Sequence, residues 1–105
     1  MMLLTKEVLK RLPPLYTNEK KPLDEVIVQV KFFTPDGSWT WYVTEFDGED
    51  TLYGFVTSGL CPEGEWGYIS LSEIKSVRGQ LGLPIERDRH FGPCPFKDVK
   101  LKLAV

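Results

Sequence analysis

The chain has 105 residues, 42% of them hydrophobic and 27% charged. That length suits one domain, residues 1–105, and the composition excludes disorder, a collagen-like repeat and a membrane-spanning helix. Thirteen Lys and Arg against fifteen Asp and Glu leave a net charge of −2, too little to steer a polyanion toward the whole molecule.

The charge is unevenly placed. Residues 1–35 carry six basic and four acidic side chains (+2), residues 36–75 one and eight (−7), and residues 76–105 six and three (+3). Two cysteines fall short of a secreted disulfide framework. The amino terminus turns polar at Thr5-Lys6-Glu7 after four apolar residues, too soon for a signal peptide. The expected location is the cytoplasm.

Thr5 is placed to cap a helix over 6–12, with Leu4 stapled onto Leu9 and Pro13-Pro14 as its stop. Residues 13–24 read as an irregular surface connection. From Glu25 the period changes to two: Val26, Val28, Val30 and Phe32 point one way, and Ile27, Gln29, Lys31 and Phe33 the other. Thr34-Pro35-Asp36-Gly37 predicts a tight turn with Gly37 at positive φ. Trp39 to Phe46 then returns antiparallel, Asp47 to Asp50 turns again, and Thr51 to Thr57 is a third strand. After the loop Ser58 to Glu65, Trp66 to Ile69 makes a short fourth.

Ser70 with Glu73 three residues on predicts a capped helix over 70–78, with Gly79 as its left-handed terminus. Residues 80–95 read as a second irregular connection. At the end, Val99, Leu101, Leu103 and Val105 alternate with Lys100, Lys102 and Ala104, the pattern of an edge strand. The expected fold is α+β: an antiparallel meander sheet of four or five strands with two short helices packed on it.

Leu71-Ser72-Glu73-Ile74 through Leu81-Gly82-Leu83-Pro84-Ile85-Glu86-Arg87-Asp88-Arg89-His90-Phe91 resembles the signature of the domain-of-unknown-function 2958 family. So do Leu3 to Glu7, Leu12 to Tyr16, Lys31 to Pro35 and Trp39 to Val43. The likeness spans about residues 1–96. It implies a small cytosolic bacterial protein of the kind found on plasmids, conjugative elements and phages, and supplies no catalytic residues to carry across.

Candidate chemistry is sparse, and no complete catalytic, metal, cofactor or nucleotide motif is present. His90 with Cys94 four residues later, plus distant Cys61, could supply three zinc ligands, but they lack the paired close ligands that small zinc sites use. Arg87, Asp88, Arg89, His90 and Phe91 form a loop whose two arginines, on one side of an extended segment, can grip a carboxylate or phosphate. Trp39, Trp41 and Tyr42, with Phe46, Tyr53 and Phe55, crowd adjacent strands with more aromatic surface than one core face needs. Tyr53-Gly54-Phe55-Val56 matches only the middle of the base-stacking motif of RNA-recognition domains, and it lies in the acidic third of the chain.

The leading expectation is therefore a non-enzymatic interaction protein of a bacterial mobile element, with an unidentified protein partner. It acts through the aromatic, acidic meander or through the Arg87–Phe91 loop. The alternatives are a small-ligand- or metal-dependent enzyme built on the Glu86–Cys94 loop, and a single-stranded nucleic-acid binder using the sheet aromatics. The charge distribution speaks against nucleic acid. The sequence does not fix an oligomeric state.

Overall fold

A computed structural model describes residues 2–103. Helix α1 (Lys6–Arg11) starts where Thr5 Oγ1 accepts from the Val8 N–H at 3.2 Å and ends before the proline pair, whose rings cannot continue it. Its buried side chain is Val8, beside Leu4 in the core; Leu9, expected to staple onto Leu4, is exposed instead.

The period-two reading from Val26 holds for burial but not for a single face: Val30 and Phe32 pack on one side of the sheet, while Val28 packs on the other, because the strand is broken at Gln29. Val26, Val28, Val30 and Phe32 are buried and the residues between them only partly so. The expected continuous strand is divided at Gln29 into β1 (Ile27–Val28) and β2 (Val30–Phe33). Strands β3 (Thr40–Phe46), β4 (Thr51–Thr57) and β5 (Glu65–Ser70) continue an antiparallel meander from β2. The β2–β3 turn is closed by Thr34, whose Oγ1 accepts from Trp39 N at 2.9 Å, and Gly37 does not take positive φ there.

The 80–95 connection contains two short strands. β6 (Glu86–Arg87) pairs with β2, completing a five-stranded sheet of order β5-β4-β3-β2-β6, and β7 (Cys94–Pro95) pairs with β1 in a small second sheet.

Helix α2 (Leu71–Ser76) is capped from two directions. Ser70 Oγ accepts from Glu73 N at 3.3 Å, while Asp50 accepts from Ser72 N at 2.8 Å and from the Ser70 and Ser72 hydroxyls. Those bonds, the Ser70 hydroxyl first, hold the Asp50 carboxyl below the usual range. The helix stops two residues short of the expected end, and Gly79 is not its left-handed cap. Gly79 instead makes room for Asp36: a Cβ there would collide with the Asp36 carboxylate, whose Oδ2 accepts from Leu81 N at 2.7 Å.

The expected last strand is a helix, α3 (Phe96–Leu103); Ala104 and Val105 lie outside the described residues. The alternation of Val99, Leu101 and Leu103 is real in the sequence. What decides is the i, i+3 pair Phe96 and Val99, both buried, while Leu101 is 68% exposed. Lys, Leu and Ala are good helix formers, so local propensity points the same way. The fold is thus α+β as expected, with three short helices rather than two among the described residues and a 3-10 turn at Leu23–Glu25.

These covers are needed because the sheet is apolar on both faces. On the first, Val30, Phe32, Trp41, Val43, Phe46, Leu52 and Ile69 pack with Leu4, Val8, Leu71, Ile74 and Ile85. On the second, Val28, Tyr42 and Phe55 pack with Phe96 and Val99, and Trp66, Phe91 and Cys94 lean on them. Phe96 sits edge-on to Phe55 and to Trp66, with ring centroids 4.7 Å apart in both pairs.

Phe96→Ala is expected to lower stability by about 3–5 kcal/mol, and Leu101→Ala to change it by no more than about 0.5 kcal/mol, in equilibrium urea unfolding. Equal losses at Val99 and Leu101 would mark a strand rather than α3.

Candidate functional site

The Arg87–Phe91 loop leaves β6 at the edge of the sheet and is fastened by Asp88. The Asp88 N–H donates to the Lys31 carbonyl at 2.9 Å, its carboxylate pairs with Lys31 Nζ at 3.6 Å, and its Oδ1 accepts from His90 N at 2.9 Å. Arg87 donates to the Met2 carbonyl, drawing the amino-terminal segment onto the loop. Phe91 turns inward against Tyr42, ring centroids 6.4 Å apart. His90 stays exposed.

The two arginines do share one surface. Arg87 and Arg89 line a groove of about 560 Å³ together with Lys6 and Arg11 of α1, which are distant in sequence. Glu7 and Asp88 line it as well. Each already has a cation: Glu7 pairs with Arg11 at 3.4 Å and Asp88 with Lys31. Arg11 Nη2 donates to the Gln29 carbonyl, which anchors the guanidinium between α1 and the sheet, while its Nε is buried and meets no acceptor.

Trp39, Trp41 and Tyr42 do not form one patch. Strand alternation sends Trp41 to the first face and Tyr42 to the second, and both are buried there. Trp39 is exposed and stacks on Trp41 with ring centroids 5.9 Å apart. Burial, with the charge of Asp88 beside it, pushes the Tyr42 phenol up from its usual value.

A second concavity was not anticipated from sequence. It is a cleft of about 310 Å³ on the second face, walled by Tyr53, Trp66 and Tyr68, floored by Val26 and Glu45, and overhung by Tyr16. A β-bulge between Val43 and Glu45 makes it. Simple alternation would carry Glu45 to the first face; the extra residue, Thr44, lets Thr44 and Glu45 both line the cleft. Gly54 allows the close approach of β4 at this point, because any Cβ there would collide with the Tyr42 carbonyl.

Glu45 is 4% exposed. Its two oxygens accept from Tyr16 N at 2.8 Å and Asn18 N at 2.9 Å, fixing the 13–24 segment over the sheet and holding Tyr16 at φ 71°, a conformation non-glycine residues avoid. The Tyr68 hydroxyl donates to that of Tyr16 at 3.3 Å across the mouth, the main cause of the raised Tyr68 phenol.

Among the described residues no three His, Cys, Asp or Glu side chains gather as a metal-holding group. Cys61 lies in the β4–β5 connection and Cys94 in β7, both as free thiols. Burial pushes both up from the ordinary thiol value, and the acid charges of Glu63 and Asp98 respectively push the same way. Each thiol is therefore held in its protonated, weakly nucleophilic form. No described helix is long and apolar enough to cross a membrane.

These features define a small α+β protein whose antiparallel sheet is clad on both faces, with a basic groove at one edge and an aromatic cleft over the second face. The chain belongs to the family described as protein of unknown function (DUF2958), whose model matches residues 3–97. That span holds every strand of the fold and reaches the first turn of α3. No curated protein and no solved structure matches the chain.

Iodoacetamide at pH 7.5 is expected to label Cys61 and Cys94 in the folded protein several-fold more slowly than in the urea-unfolded chain, read by intact mass. Faster labelling of the folded protein at either position would mean an activated thiolate.

Proposed function

We propose that the protein is a non-enzymatic interaction module that works in the bacterial cytoplasm in the service of a mobile element. Its Arg87–Phe91 loop takes an acidic segment of a protein partner. The convergence of Lys6, Arg11, Arg87 and Arg89 on one groove carries this reading: four cations line it against two carboxylates, of which Glu7 pairs with Arg11 and Asp88 with Lys31 outside the lining, so the groove keeps a positive surplus. Guanidinium groups recognise carboxylates through forked hydrogen bonds, and three of the four cations lining the groove are arginines.

The fastening of the loop supports the same reading. Asp88 bonds to Lys31 and to His90 N, so the loop's path is set before any partner arrives, which reduces the ordering cost of association. Net charge is a poor guide here, since the groove is a local surplus of positive charge on a chain that is acidic as a whole.

A fluorescence-anisotropy titration with a labelled hexaglutamate peptide is expected to show saturable, salt-sensitive binding that weakens roughly tenfold in Arg89→Glu, with hexalysine showing none. Single-stranded DNA is expected to bind no tighter than about 10⁻⁵ M at physiological salt. DNA binding tighter than the peptide, or peptide binding indifferent to Arg89→Glu, would overturn the proposal.

A further inference from the structure

The aromatic cleft shares no residue with the basic groove and has the opposite electrostatic character. Tyr53 stands at its centre, 5.8 Å from the Trp66 ring and nearly parallel to it, and 5.1 Å from Tyr68, whose ring is turned edge-on. Tyr16 closes the group from the connection opposite, through the hydroxyl contact with Tyr68. Four electron-rich rings therefore bound one small cavity, and the negative charge of Glu45 lies in its wall.

Glu45 is the informative residue. A buried carboxylate normally has a cationic partner, because its desolvation is otherwise poorly offset. Here two backbone N–H groups satisfy its oxygens, yet none of the ion pairs among the described residues includes it. Lys21 and Glu19 also line the cleft and neither is in those ion pairs, so its lining carries two carboxylates against one ammonium. The cleft thus has aromatic walls, a buried carboxylate outside any of those ion pairs and a size near the lower end of ligand pockets, roughly 300–1,000 Å³.

The geometry points to a binding site for a methylated ammonium group, held by the faces of Tyr16, Tyr53, Trp66 and Tyr68 and by the charge of Glu45. Aromatic rings attract such cations through their quadrupoles, and ring-lined cages are a general solution for quaternary ammonium recognition. The hydrogen-bonding state of the site favours the methylated form over a primary amine. Each Glu45 oxygen already accepts one backbone N–H and the Tyr16 hydroxyl already accepts the Tyr68 O–H, so part of the acceptor capacity that a primary ammonium's three donors would use is taken, whereas a quaternary ammonium needs charge and contact but no acceptor. The group has two sources, a free quaternary amine or a methylated lysine side chain of a protein.

Isothermal titration calorimetry with tetramethylammonium, choline, an acetylated trimethyllysine peptide and the neutral isostere 3,3-dimethylbutan-1-ol tests this directly. Tetramethylammonium is expected to saturate one site and the neutral isostere to bind at least about tenfold more weakly. Choline tighter than the peptide indicates a free amine; the reverse indicates a side chain. Tyr68→Ala, an exposed position that should leave the fold intact, is expected to weaken binding about fivefold, and Glu45→Gln to weaken it further. Circular dichroism checks that each variant is folded. Absence of saturation, an isostere that binds as tightly as the cation, or indifference to Tyr68→Ala would overturn the assignment, and none of these outcomes bears on the basic groove.

Discussion

Strands β3 and β4 are buried from both sides, and the rest of the structure follows from that requirement. Trp41, Val43 and Phe46 on one face of β3, and Tyr42 with Phe55 of β4 on the other, cannot both be covered by a single helical layer. α1, α2 and Ile85 take the first face. The second is divided: α3 covers the part around Phe55, and the 13–24 segment covers the part around Tyr53. The amide of Phe96 donates to the Val26 carbonyl at 2.8 Å and Lys100 pairs with Asp24 at 2.8 Å, so the two covers of that face are joined.

The division leaves the cleft. It lies between the irregular connection and the sheet, over the bulge, and no described residue of α3 lines it. There Glu45 performs a structural task, drawing Tyr16 and Asn18 down onto the sheet. The same bonds turn the Tyr16 ring over the mouth and place a negative charge beside the aromatic wall. One side chain therefore links the closing of the fold to the character of the cavity. The basic groove arises differently, at the sheet edge, where the β6 loop and α1 bring separate charges together.

Much of the fold was legible because the meander is regular. The alternation over Val30 and Phe32 and the Ser70 cap carry local signals, and β4 falls on Thr51–Thr57, but the break at Gln29 that sends Val28 to the other face leaves no mark in the period. The Val99, Leu101, Leu103 repeat of α3 satisfies period two, and what separates helix from strand is Phe96 one helical turn before Val99, together with the helix propensity of the lysines and leucines. At the site, Arg87 and Arg89 were visible as a pair, but Lys6 and Arg11 join them only through tertiary packing. The cleft was hidden by its bulge: counting by twos places Glu45 on the wrong face, and nothing local marks Tyr16 in its connection. A carboxylate inside the apolar strand from Trp41 to Phe46 was the one available signal.

A two-dimensional NOESY spectrum of the intact protein tests the two-faced sheet most directly. Cross-peaks between the Phe96 ring protons and those of both Phe55 and Trp66, with helical Cα shifts over residues 96–103, are the predicted result. Extended-chain shifts over those residues, with no contact from Phe96 to either ring, would contradict it.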